Sequence, residues 1–102
     1  MIRRFFHTMG RQDRIYKTLS EALKTDKITL YNDSYKHSHH IAMKGVPDTN
    51  ETHFRLEIVS PEFSGMSRVA RHRLVYGLLK DEFDGGLHAL QITSSKTPDE
   101  VS

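Results

Sequence analysis

The stretch FSGMSRVARHRLVY, residues 63–76, decides how the rest of the chain is read. Gly65 marks a turn, and Ser67 is an N-cap for a helical pattern that runs to about Phe83. Gly85-Gly86 stops that pattern. Just upstream, in residues 52–59, Phe54, Leu56 and Ile58 alternate with Arg55 and Glu57, as a half-buried strand requires, and Pro61 closes the run. Just downstream, residues 87–93 form a last strand with His88, Leu90 and Ile92 on one face. Strand, helix and strand in that order predict a right-handed crossover between parallel strands.

Outward from this unit, residues 11–24 carry Ile15, Leu19, Ala22 and Leu23 at helical spacing, and Thr25-Asp26 ends the helix. Residues 27–31 form a short strand with Ile28 and Leu30 on one face. It is expected to pair antiparallel with the strand at 52–59. Between them lies a loop of about twenty residues, 32–50, longer than compact domains usually tolerate without a functional reason. Thr97-Pro98-Asp99-Glu100 reads as a capping box with proline at the first helical position. The predicted order is α-β-β-α-β with a short final α. The fold class is α/β in the α+β sense, with a three-stranded mixed sheet covered by helices. The domain is expected over residues 11–98, with an extension at 1–10 and a short tail at 99–102.

The composition narrows the function classes. The chain has 102 residues, 36% hydrophobic and 27% charged, which fits one globular domain. No apolar run approaches the ~18 residues of a membrane span. There is no cysteine, so any metal must be held by imidazole, carboxylate or ligands from a partner. The net charge of +2 is too small to imply nucleic acid. Residues 1–10 lack acids and place Arg3, Arg4 and His7 opposite Ile2, Phe5, Phe6 and Met9, the form of a mitochondrial presequence.

Arg71-His72-Arg73 first suggests a nucleic-acid reader. On a helical wheel, however, Arg71 and Arg73 lie about 200° apart and cannot form one stripe. A recognition helix needs its readers on a common face. The wheel puts Val69, Tyr76, Val75, Leu79 and Phe83 on an apolar face with His72 inside it, Arg71 beside Glu82 and Arg73 near Lys80. The bland readings are an ion pair for Arg71 and a half-buried imidazole for His72. Arg71, Arg73 and Lys80 stay as candidates for contact with a partner or with phosphate.

The other polar feature is histidine. His37, His39 and His40 sit in the long loop, His53 opens the strand after it, and His88 opens the last strand. Neutral imidazole binds zinc, iron or copper, but loop histidines are often simply solvated, and no zinc motif spacing is present. No paired carboxylates accompany them, which disfavours a metal-dependent nuclease.

Taken together, Phe63-Ser64-Gly65, Arg71-His72-Arg73-Leu74-Val75-Tyr76, Leu87-His88-Ala89-Leu90, Glu51-Thr52-His53-Phe54 and Asn32-Asp33-Ser34-Tyr35-Lys36-His37 resemble the BolA family over roughly residues 11–98. The mitochondrial-type branch, with its fungal UV-induced members, is the most similar. The resemblance implies a fold similar to class II KH domains, although no GxxG clamp is present. It implies an adaptor, not an enzyme, for iron–sulfur cluster assembly or trafficking. A monothiol glutaredoxin and glutathione would share a [2Fe-2S] cluster with the chain. His88 would be one ligand and a loop histidine the other, with His37 the best match and His40 and His39 as alternatives. His53 also matches a family position, but a strand-edge residue is expected to swing less freely. The implied location is the mitochondrial matrix, alternatively the cytosol or nucleus, and the implied free form is a monomer. The resemblance also permits a second function, a stress or transcription regulator that binds nucleic acid weakly.

Overall fold

The structure is a computed structural model that describes residues 10–34 and 52–101. Strand β2, His53–Val59, lies at its centre, and its alternation is expressed as expected: Phe54, Leu56 and Ile58 are buried and the residues between them are half-buried. β1, Ile28–Asn32, pairs antiparallel with β2, and β3, Ala89–Lys96, pairs parallel with it on the other side. The order β1-β2-β3 is the predicted mixed sheet. The parallel register slips between Leu56 and Glu57, where Ile92 and Ser94 are successive partners. Thr93 fills the slip by donating its hydroxyl to the Leu56 carbonyl at 3.2 Å. This bulge carries β3 to Lys96, three residues past the expected end, through a polar segment without apolar alternation.

One face of the sheet is covered by helices. α1, Arg11–Ala22, contributes Ile15 and Leu19, and Leu23 follows at its C-cap. After a single turn at Pro61–Phe63, α2 spans Arg68–Leu78 and contributes Val75, with Leu79 at its end. Ser67 caps α2 by accepting from the Ala70 amide at 3.1 Å. The helix expected to continue to Phe83 breaks at Leu79, and a separate short helix, α3, spans Lys80–Asp84. Leu79 donates to both Val75 and Tyr76 carbonyls at 3.2 Å, and its side chain is buried. Gly77, a weak helix former in the preceding turn, makes the break inexpensive.

The wheel's apolar face is corrected by the structure. Val69 and Tyr76 are exposed and His72 is half-buried, while Arg71 is only 8% exposed. Arg71 is not paired with Glu82. Its guanidinium donates to the Met66 carbonyl at 3.0 Å, the Ser95 carbonyl at 2.8 Å and both carboxylate oxygens of Glu100 at 2.7 and 3.2 Å. Four of its donors are thus spent inside the chain. Glu82 instead takes Arg14 at 2.7 Å and Arg11 at 3.1 Å from α1. Hydrogen bonding from Arg14, then from Arg11, holds its carboxyl below the usual carboxylate range against a desolvation cost. A wheel cannot see partners this distant in sequence, so it misses both pairs.

The C-terminal segment joins the fold. Pro98–Val101 forms a single turn, and the Glu100 carboxylate accepts the Thr97 amide at 2.8 Å, the returning half of a capping box. The structured region therefore extends beyond residue 98. Arg71, followed by the Thr97 amide, lowers the Glu100 carboxyl to about 2 from an ordinary value of 4.5. Because the folded value is the lower one, this contribution is complete above 4.5 and is lost as pH falls towards 2. Thermal melts from neutral pH down through this window should show the wild type losing its advantage over Glu100→Gln as acid is added. Parallel Tm curves for the two proteins would contradict this role.

Candidate metal-binding site

β2 and β3 are parallel, so both start at the same end of the sheet. The residues just before and at those starts, Thr52-His53 and His88-Ala89, therefore become neighbours. The Thr52 carbonyl accepts the His88 amide at 2.9 Å and the Ala89 amide at 3.1 Å. His88 lies one residue before β3 rather than within it. Upstream of it, Gly86 has φ +124°, a conformation side chains rarely adopt, and a Cβ there would approach Arg11 Nη2 to 3.2 Å. The next residue, Leu87, is buried. The chain thus anchors Leu87 in the core, pins the His88 backbone to Thr52 and leaves the imidazole exposed.

The long loop is closed at its base in the same place. The Asn32 side chain accepts the Ser34 amide at 3.0 Å, a local Asx turn. Ser34 is 1% exposed, and its hydroxyl accepts the amides of Thr52 and His53, each at 2.9 Å. It also lies 3.3 Å from the His53 carbonyl, which takes the Asp33 amide at 2.8 Å. The Asp33 carboxylate is held by Arg55 at 2.6 and 3.3 Å, and Arg55 lies 4.2 Å over the Tyr31 ring. The Asn-Asp-Ser run is thus the clasp of the loop. Both loop ends meet beside the backbone that carries His88, with Thr52 as the shared residue. His37, His39 and His40 lie outside the described residues.

One neighbour was not anticipated from sequence. The His53 and His88 rings are 5.7 Å apart, centre to centre, edge to face. Thr52 Oγ1 lies 2.8 Å from His53 Nδ1. The signal was present in the sequence, because two histidines that open parallel strands must meet at one sheet end. No group of three or more metal-ligating side chains forms among the described residues. A fuller ligand set must therefore draw on the loop or on a partner.

The cationic candidates separate. Arg71 is buried and committed, as above. Lys80 pairs with Asp84 on the surface at 2.8 Å, a contact worth little in water. Arg73 is exposed on α2. The structure does not bring these three together.

The class of protein that these features define is a small α+β domain with a crossover helix, a clasped loop base and an exposed histidine just before its parallel edge strand. The family profile described as BolA-like protein matches residues 11–100, and the chain belongs to that family. It is 49% identical over 91 residues to Protein BOLA1, chloroplastic, of Arabidopsis thaliana, covering 89% of this chain and 56% of that protein. It is 48% identical over 89 residues to SufE-like protein 1, chloroplastic/mitochondrial, of the same plant, covering 86% of this chain and 24% of that protein. A relative named DNA-binding transcriptional regulator BolA, from Vibrio cholerae, is 38% identical over 86 residues, covering 84% of this chain and 74% of that protein. The solved structure of BolA1 from Arabidopsis thaliana superposes with a TM-score of 0.80 at 48% identity, covering 90% of this chain and 96% of that one. The chain spans about half the length of the first of these relatives and a quarter of the second.

Replacing Ser34 by alanine should leave the Thr52 and His53 amides without their acceptor. Losing a buried hydrogen-bond hub of this kind costs about 1–3 kcal/mol. Denaturant unfolding should report that loss, and amide hydrogen exchange should show faster exchange confined to residues 33–34 and 52–53. Unchanged exchange there would mean that the clasp does not close the loop.

Proposed function

We propose that the chain is an adaptor for iron–sulfur cluster assembly or trafficking, which binds a monothiol glutaredoxin and shares a [2Fe-2S] cluster with it. The observation that carries this reading is the exposed His88 beside the clasped base of the histidine loop. The cluster is cargo. The glutaredoxin and glutathione supply thiolates, and this chain supplies imidazoles from His88 and His37, with His40 and His39 as the other loop candidates. Occurrence of the domain within a SufE-like protein supports the assignment.

The chemistry suits transfer. Two neutral imidazoles in place of two thiolates reduce negative charge at one iron and raise its reduction potential. Imidazole must be unprotonated to ligate, so acid releases the cargo. Ligands divided among two proteins and glutathione come apart when the complex does. The chain's own part is to hold the His88 backbone rigid through Thr52 while its side chain meets solvent. No catalytic group is needed, so the role is that of an adaptor and not an enzyme.

The relatives named for chloroplast or mitochondrion support an organelle as the location. The acid-free, arginine-bearing start of the sequence favours the mitochondrial matrix. A second reading, a weakly nucleic-acid-binding regulator, draws support from the name of the Vibrio relative. Burial of Arg71 weighs against it as first framed, because that side chain's donors serve the fold. Contacts to several phosphates would give an affinity that falls steeply with salt. Absence of binding at moderate salt removes this second reading.

Anaerobic co-expression with a monothiol glutaredoxin should yield a coloured complex with the absorption and EPR of a [2Fe-2S] centre. His88→Ala should abolish that signature, and His37→Ala should diminish it more than His39→Ala or His40→Ala. Arg73→Ala should leave the cluster spectrum unchanged. A complex whose spectrum survives His88→Ala overturns the ligand assignment.

A further inference from the structure

We infer that the outer edge of β3 is a docking site for a short, extended, acidic segment of a partner protein, which adds to the sheet as a further strand. The sheet order β1-β2-β3 makes β3 an edge strand. Two bonds identify which of its backbone groups face β2. The Ala89 amide donates to the Thr52 carbonyl at 3.1 Å, and the Lys96 carbonyl accepts the Ser60 amide at 2.9 Å. Backbone groups alternate in direction along a strand, so those of Leu90 and Ile92 face away from β2. Side chains from α2 cover part of this outer edge. The Tyr76 hydroxyl donates to the Leu90 carbonyl at 2.7 Å, and the Arg71 guanidinium donates to the Ser95 carbonyl at 2.8 Å. Covering an edge in this way discourages indiscriminate pairing. Ile92 sits between the two covered positions, half-buried, in a groove of about 660 Å³ between α2 and β3.

An outward amide and carbonyl on one residue match the two bonds that a residue of an added antiparallel strand exchanges. The covered carbonyls on either side restrict such a strand to a few residues. Charge sets its chemistry. Arg68 and Lys96 line the groove, both are exposed, and neither makes an ion pair with a described residue. The groove already holds one carboxylate from this chain, Glu100, which Arg71 binds at 2.7 and 3.2 Å. Partner carboxylates on Arg68 and Lys96 repeat that pairing at the positions left open. Single-stranded nucleic acid fits less well, because the described lining has no phenylalanine, tyrosine or tryptophan on which a base could stack. A peptide backbone uses the outward groups of Ile92 without needing such a platform.

His88 and the clasp of the loop lie outside this groove, so the inference does not rest on the cluster reading. Its test uses the full chain and a short fluorescent peptide of alternating aspartate and valine. Fluorescence anisotropy should show saturable binding, and amide hydrogen exchange at saturation should slow at Ile92. Arg68→Glu combined with Lys96→Glu should weaken binding about tenfold. Methylating the central amide nitrogen of the peptide removes a strand donor and should also weaken binding about tenfold, which charge attraction alone does not explain. That second comparison needs no protein variant, so it decides the matter even if the double substitution fails to fold. No saturable binding, equal affinity for the methylated peptide, or unchanged Ile92 exchange overturns the inference. Slower Ile92 exchange on raising the protein concentration alone would make the edge a contact between copies of this chain. Slower exchange with a single-stranded oligonucleotide but not with the peptide would make it a nucleic-acid site. Either result overturns the inference as well.

Discussion

The carbonyl of Thr52 is the point on which this structure turns. It accepts two amides, from His88 and Ala89, and so joins the beginnings of two parallel strands. The amide of the same residue is held by Ser34, which closes the long loop. A single peptide group on each side of Thr52 therefore links the clasp of the loop to the backbone of the exposed histidine. Parallel strands need a crossover to bring their starts together. α2, α3 and the glycine turn supply it. The rest of the fold, with Phe54, Leu56 and Ile58 packed on α1 and α2, keeps that sheet end rigid while the imidazole stays in solvent.

The same logic explains the family signature. Of the consecutive Arg71-His72-Arg73, the first is a clamp and not a reader. It ties α2 to β3 and to the C-terminal turn through Met66, Ser95 and Glu100. Burying a guanidinium is costly unless its donors are satisfied, and here four of them are. Asn32-Asp33-Ser34 is likewise a structural device, with each side chain closing a different part of the loop base.

Much of this was legible in the sequence. The alternation at Phe54, Leu56 and Ile58, the cap at Ser67 and the stop at Gly85-Gly86 gave the elements, and the strand-helix-strand order gave the parallel pair. The resemblance singled out His88. What escaped depended on contacts between distant residues. Arg71 finds Glu100 and Glu82 finds Arg11 and Arg14, which no helical wheel could reveal. Within α2 itself Val69 and Tyr76 are exposed while Arg71 is buried on its Glu100 and carbonyl partners, so the apolar face was misjudged. β3 ran on through Ser94, Ser95 and Lys96 because β2 offered partners, not because those residues favour a strand. The nearness of His53 to His88 followed from the parallel register, which became specific only once the two strand starts were fixed.

Under the proposed function, this chain would deliver imidazole nitrogen to a shared cluster. That delivery is tested most directly by pulsed EPR on the reduced complex, with 15N-histidine in this chain and an unlabelled monothiol glutaredoxin. 15N hyperfine coupling from this chain's imidazoles to the reduced cluster is expected. A reduced cluster with no 15N coupling from this chain would contradict it.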